Sequence, residues 1–337
     1  MASPSTISVD VMSGDLGAEV VVRAAASALA SHPSIELILV GDETVIRGLV
    51  REHVPDASRI RIQHATEIVS MTDAPADAVR KKKDSSMRVA INLVKAGDAQ
   101  ACVSAGNTGA LMATAKFVLK TLPGVDRPAI LAELPAIEGG SLHMLDLGAN
   151  TSASAEQLFQ FALMGSIVAS DIAKVERPRV ALLNIGAEDV KGHDTVKEAA
   201  ALLNASSLNY VGFIEGNDIF HGKADVIVTD GFTGNVALKT MEGTVALVRH
   251  YLRRAFTRSW FAKLQAVLAG FVLKALARDT DSRRYNGATL VGLNGIVIKS
   301  HGGADEQAFL HAIDTAVIEV ENQVPQQIGS LLEREAA

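Results

Sequence analysis

"DVIVTDGFTGNVALKT", Asp225–Thr240, carries two readings in one stretch. Asp225-Val226-Ile227-Val228 is a short β-branched run, and the Gly/Asn/Asp-rich turn after it opens into helix-forming residues. A buried strand handing over to a helix is half of a βαβ unit. The same alternation recurs on both sides. It predicts strands at Ile7–Val11, Glu36–Val40, Ile60–Gln63, Ala101–Ser104, Ala129–Leu134, Met144–Leu147, Val180–Asn184, Tyr210–Ile214 and Val226–Thr229. Helical patterns follow most of them, including Met87–Lys95 behind the cap Asp84-Ser85-Ser86 and Ala304–Val320. Near the end, Asn294-Gly295 sits between two apolar runs, a hairpin signal. The expected fold is α/β with a largely parallel but mixed sheet. No linker or repeat divides residues 1–337, so one catalytic domain is expected.

Composition limits the function. The chain has 337 residues, 48% hydrophobic and 21% charged, which suits a globular protein with a large core. A net charge of −6 argues against nucleic acid as a partner. The single cysteine, Cys102, rules out an internal disulfide and any cysteine-based metal cluster, and it reads as core in "ACVSAG". The start, "MASPSTISVDVMSGD", has no signal-peptide pattern, and no apolar run approaches the ~20 residues of a membrane span. A reducing, cytoplasmic setting is expected.

Five strand-like runs end in one recipe, glycine beside Ser, Thr, Asn or Asp: Asp10–Asp15, Ser104–Ala110, Asp146–Ser152, Asn184–Asp189 and Thr229–Asn235. Glycine lets backbone N–H groups come close to a ligand, and a helix start adds partial positive charge. Such turns suit an anion, phosphate above all, and ligands of open α/β sheets bind at carboxyl ends of strands. The phosphate-binding candidates are Asp10, Gly14, Asp15, Ser104, Asn107, Thr108, Asn150, Asn184, Asp230, Thr233 and Gly234. Other templates fail. "GNDIFHGKA" (Gly216–Ala224) has five residues between its glycines where a P-loop has four, and Ala follows its lysine. A dinucleotide fingerprint, a nucleophile elbow and a histidine metal motif are all missing from the sequence, and no metal site is expected. Chemistry here would rest on positioning and electrostatic stabilisation. Lys191, just past a strand end and before Gly192, is the cation placed to serve it. His221 and His301 read as loop histidines, and Arg80-Lys81-Lys82-Lys83 as a solvated edge.

Charge is unevenly spread. Thr244–Ala277 contains no acidic residue but holds Arg249, Arg253, Arg254, Arg258, Lys263 and Lys274. Phe256, Trp260, Leu264, Leu268 and Phe271 continue an apolar stripe at helical spacing. Residues 244–278 therefore read either as a helix or hairpin on an anionic membrane surface, or as a core or dimer-interface helix with a basic outer face. A basic face also suits an acidic protein partner.

Together, "KKKDSSMRVA", "VSAGNTGALMA", "LDLGAN", "LLNIGAEDVKG", "VTDGFTGNVALKTMEG" and "GLNGIVIKSHGGAD" resemble the bacterial phosphate acyltransferases of phospholipid synthesis, from about Ile7 to Ile328. The resemblance implies a three-layer α/β/α fold like that of isocitrate and isopropylmalate dehydrogenases. It implies a homodimer on the inner membrane face, no nucleotide cofactor, and transfer of a fatty acyl group from acyl carrier protein to inorganic phosphate. The product would feed a glycerol-3-phosphate acyltransferase. The family's important lysine matches Lys191 and its active-site asparagine Asn235. The first loop departs: where the family usually has Gly-Gly-Asp, often followed by His-Ala-Pro, this chain has Ser13-Gly14-Asp15-Leu16-Gly17-Ala18, and Ala187 stands where the family commonly has Glu. Two other readings are a phosphotransacetylase-like enzyme using acyl-coenzyme A and a membrane-associated scaffold without catalysis. A dehydrogenase of the related fold would need a dinucleotide site and metal-binding carboxylates, which the sequence does not display.

Overall fold

A computed structural model describes residues 5–336 apart from 173, 189 and 280, so Asp189 of the Asn184–Asp189 turn lies outside the described residues. Its strands are β1 (Ser5–Asp10), β2 (Ile35–Gly41), β3 (Ile60–His64), β4 (Ala101–Ser104), β5 (Ala129–Pro135) and β6 (Ser141–Leu145). They continue with β7 (Arg179–Leu183), β8 (Asn209–Ile214), β9 (Val226–Val228), β10 (Ala288–Val291) and β11 (Ile296–Lys299). The first six helices are α1 (Ala18–Ser31), α2 (Glu43–His53), α3 (Pro75–Lys81), α4 (Ser86–Ala96), α5 (Thr108–Leu119) and α6 (Ala155–Ile172). They are followed by α7 (Asp194–Ala205), α8 (Gly231–Thr257), α9 (Trp260–Leu268), α10 (Gly270–Asp279), α11 (Glu306–Glu321) and α12 (Val324–Ala336).

All eleven strands join one sheet in the order β3-β2-β1-β4-β11-β10-β5-β6-β9-β7-β8. Alternation of side chains splits its two faces. Ile7, Val9, Val103 and Ile298 pack under α1 and α11, while Val180, Leu145 and Val228 pack under α6 and α7 on the same side. On the other face Cys102 and Val297 meet α4 and α5, and Ile130, Met144 and Ile227 meet α8. The three-layer α/β/α arrangement is the expected one. Cys102 is fully buried, and burial pushes its thiol well above the ordinary range.

The hairpin at Asn294-Gly295 forms, with β10 and β11 antiparallel. Its consequence reaches further than the sequence indicated. β10 is also antiparallel to β5, and β5 to β6 across the Gly139-Gly140 turn. Strand direction therefore reverses between the β1–β4–β11 group and the β6–β9–β7 group, and their carboxyl ends point opposite ways along the sheet.

One buried acid ties this seam to the helix layer. Glu319 of α11 is 1% exposed and accepts a hydrogen bond from the Thr289 hydroxyl of β10. Burial pushes its carboxyl up to about 8. The unfolded chain releases this proton near pH 4.5 and the folded chain holds it, so stability is full below about 4.5 and falls as pH rises towards 8. Glu319→Gln removes the cost of that retained proton. It is expected to raise the melting temperature at pH 8, by a free energy of roughly 1–4 kcal/mol, and to do much less at pH 5. An equal effect at both pH values would count against a buried neutral acid.

Candidate functional site

The five Gly-rich turns divide two and three. Those after β1 and β4 lie with the β11 end, and those after β6, β9 and β7 form a second group on three neighbouring strands.

In the first group Asp10 is completely buried, and its Oδ2 accepts from Ser13 Oγ at 2.5 Å and Ser104 Oγ at 2.7 Å. Gly14, at φ +111°, turns the chain so that the Asp15 N–H donates to the Gly302 carbonyl at 2.8 Å. The β1 loop and the β11 loop are thereby joined. Asn107 caps α5 through the Ala110 N–H, and its own amide donates to the Met71 and Asp73 carbonyls, which leaves Thr108 exposed on the first turn. Beside this group stands Lys299, only 8% exposed, whose Nζ donates to the carbonyls of Ser300 and Ala105. Burial pushes its ammonium down to about 8, partly opposed by Asp15 and Asp10 and reinforced by Lys239. It still carries its charge at neutral pH.

The second group is organised around Asp146, which is fully buried. Its Oδ1 accepts from the N–H groups of Ile130, Gly148 and Ala149, and its Oδ2 from the backbone and side-chain amides of Asn150. Asn150 also donates to Pro128, so both amide hydrogens are used to brace the loop. Against this loop lies the first turn of α8. Asp230 caps it, accepting from the Thr233 N–H and hydroxyl. A Cβ at Gly231 would stand 2.4 Å from the Asn150 carbonyl oxygen, and one at Gly234 2.0 Å from that of Asp146. Both glycines are there because a backbone lies against them. Asn235, one residue on, is exposed and borders Gly148.

Lys191 lies at the surface, paired with an acid. Its side chain is 48% exposed and its Nζ sits 2.9 Å from Glu188, which raises the lysine above its ordinary value. Asn184 shapes the same loop by donating to the Lys191 carbonyl and accepting from the Ile185 N–H. Lys82 of the basic run is not a solvated edge residue: it is held 2.5 Å from Asp73.

α8 connects the groups. Asn235 and Lys239 are four residues apart, on one helix face. Asn235 borders the Asp146 loop, while Lys239 acts electrostatically on Lys299. Leu238 and Met241 share a core with Met112 of α5, which follows β4. At 27 residues, α8 is about 40 Å long, and from Glu242 to Tyr251 every residue is exposed. The segment 244–278 is thus the outer part of α8 followed by α9 and α10. Trp260 (77%), Leu268 (79%) and Phe271 (87%) are largely exposed there, and Leu264 is exposed too, whereas Phe256 is half-buried. No helix among the described residues is long and apolar enough to cross a membrane.

The family model described as "Fatty acid synthesis protein" matches residues 5–327. A phosphate acyltransferase of Nitrosococcus oceani is 57% identical over 97% of this chain and 96% of its own length. One from Methylococcus capsulatus is 54% identical over 96% of each. Among solved structures, a phosphotransacetylase from Streptococcus pyogenes has the same fold, with a TM-score of 0.64 at 18% identity, covering 96% of this chain and 95% of that one. The chain belongs to the phosphate acyltransferase family, and so is a transferase.

Two site residues escaped the sequence reading. Asp146 was visible only as part of a Gly-rich turn. Lys299 ends the apolar run Ile296–Ile298, and a lysine closing a strand reads as an exposed end. The glycine contacts yield a direct test. Gly234→Ala is expected to cost about 1–3 kcal/mol by pushing α8 off the Asp146 loop. Gly243→Ala, whose Cβ meets nothing within 4 Å, should be neutral or stabilising. Chemical denaturation of both variants checks this, and equal midpoints would remove the close-packing argument.

Proposed function

We propose that the protein transfers a fatty acyl group from acyl carrier protein to inorganic phosphate, an early step of glycerophospholipid synthesis. The observation that carries this reading is identity above one half, over nearly the full chain, to proteins named phosphate acyltransferase. A phosphate oxygen attacks the thioester carbonyl carbon, the C–O bond forms and the C–S bond breaks. The carrier's sulfur leaves with the proton that phosphate gives up. The products are acyl phosphate and free carrier thiol. Phosphate is a competent nucleophile at neutral pH and a thiolate leaves readily, so electrostatic positioning supplies most of what the reaction needs. Asn235 orients the thioester carbonyl, and Lys191, once released from Glu188, neutralises the developing oxyanion. The acidic carrier suits the basic residues of the 244–278 segment.

The test is thiol release from a long-chain acyl-carrier protein, with and without phosphate, followed by hydroxylamine trapping of acyl phosphate. Phosphate-dependent release with a trappable product is expected, and Lys191→Ala should lower turnover by about 10²–10³. Release without phosphate would mean a thioesterase. Preference for the coenzyme A thioester would make the protein phosphotransacetylase-like, and no release from either would favour a scaffold.

The outer helices fit two contacts. Val245, Val248 and Tyr251 expose apolar surface along α8, suited to a second copy in a homodimer. Trp260, Leu268 and Phe271, among basic residues, suit an anionic membrane face, where a lipid-like, hydrolytically labile product can pass to a glycerol-3-phosphate acyltransferase. Sedimentation should give twice the 35.4 kDa chain mass. Trp260→Glu or Leu268→Glu should abolish binding to anionic vesicles with turnover in solution unchanged; unaltered vesicle binding would return the tip to a protein interface.

A further inference from the structure

Three neighbouring strands place a row of polar residues that the chemistry above does not use. In the register of the sheet, Asp10 of β1 pairs with Ser104 of β4, and Ser104 with Lys299 of β11. Parallel partners project to the same face, so acid, hydroxyl and ammonium stand side by side at the carboxyl ends of their strands. The row below is Ser8, Cys102 and Val297, of which the last two belong to the core under α4 and α5. Asp10 and Ser104 are fully buried and Lys299 nearly so.

Two buried charges on alternate strands would ordinarily meet in an ion pair, since burying either alone is costly. Among the described residues no ion pair joins them. Asp10 satisfies Oδ2 with Ser13 and Ser104, but its Oδ1 is buried without a partner. Lys299 bonds only to two backbone carbonyls, those of Ala105 and Ser300. The charged groups that act on it electrostatically are Asp15 from the first loop, Lys239 from α8 and Asp10 from β1. The backbone around this row is held close by glycine. A Cβ on Gly106 would lie 2.4 Å from Met87 Cε and 3.0 Å from Ser13 Oγ, and one on Gly302 2.9 Å from Asp15 Oδ2.

We propose that Asp10 and Lys299 seat the phosphate ion, Lys299 balancing its charge and Asp10 accepting one of its hydrogens. A ligand completing this row must offer acceptors to an ammonium and a donor to a carboxylate oxygen. Hydrogen phosphate has both. Sulfate, of the same size and charge, has only acceptors and meets the Asp10 oxygen with repulsion. The assignment deepens the acyl phosphate reading and rests on it for the reaction. It leaves Lys191 with the thioester; Lys239, on the helix face shared with Asn235, is held 2.7 Å from Glu242 and adds its charge once released from it.

The experiment measures thermal stability of the full chain in phosphate and in sulfate at equal ionic strength, beside steady-state kinetics in phosphate. Wild type should melt higher in phosphate than in sulfate. Lys299→Met, close in volume and uncharged, should lose that difference. Its kcat/KM for phosphate should fall by about 10²–10³, with the KM for the acyl carrier within about threefold of wild type. Asp10→Asn keeps a carbonyl oxygen for the two serines and puts an N–H₂ at the unpartnered position. It should erase the preference for phosphate over sulfate, and it serves as the test if Lys299→Met does not fold. A phosphate-specific shift retained in both variants overturns the proposal, as does equal stabilisation of wild type by the two anions. If wild type makes no acyl phosphate yet shows a Lys299-dependent phosphate shift, the reaction reading fails and the phosphate seat stands.

Discussion

The buried carboxylate of Asp146 is the constraint on which the second half of the molecule depends. Five amide donors converge on it: Ile130 from β5, Gly148, Ala149 and Asn150 from the loop after β6, and the Asn150 side chain. A buried acid is tolerable only when so supplied, and the supply fixes the loop's shape. That loop is the floor on which Gly231 and Gly234 set the start of α8. The direction of α8 then determines where Asn235 and Lys239 stand and how far the outer turns project. One carboxylate thus governs local geometry, the placement of an exposed asparagine and the reach of a helix about 40 Å long.

Much of this architecture is legible from the chain. Short β-branched runs mark the strands because a strand buried on both faces must be apolar throughout, and Asn294-Gly295 marks a hairpin because few residue pairs accept its backbone angles. The Gly-rich turns are legible for the same reason. What was hidden is their partition. Three antiparallel pairings, β11–β10, β10–β5 and β5–β6, turn the second group around. The joint at Gly139-Gly140 lies between runs that read equally well as separate parallel strands. Lys299 was hidden for a different reason. Residue type does not reveal burial, and its relation to Asp10, 289 positions earlier, exists only through the register with Ser104. Asn184, Asn107 and Asn150 show the converse: they are the right residues for holding a ligand, yet most of their hydrogen-bonding capacity is spent on shaping loops.

The charge pattern of the 244–278 segment gains meaning from the same helix. A stripe of aromatic and aliphatic residues is ordinarily core, and Phe256 behaves that way in part. Beyond it Trp260, Val267, Leu268 and Phe271 lack cover within the chain. Large apolar side chains kept in water across a whole surface lower solubility and give nothing to stability, so their concentration on the tip suits the outside contact proposed for it.

α8 links the two clusters to the tip formed by α9 and α10. A helix fixes the spacing of Asn235 and Lys239 at one turn, and its first turn is locked by backbone contacts that permit no side chain at Gly231 or Gly234. Groups borne on such an element lose little freedom when a ligand arrives, which is the condition for electrostatic stabilisation to be effective. The same rigidity extends to the exposed turns. A partner or surface bound at the tip therefore holds the helix whose base borders the Asp146 loop. In the proposed reaction, acyl phosphate forms at the base of α8 and leaves for a lipid phase at the α9–α10 tip that follows its outer end.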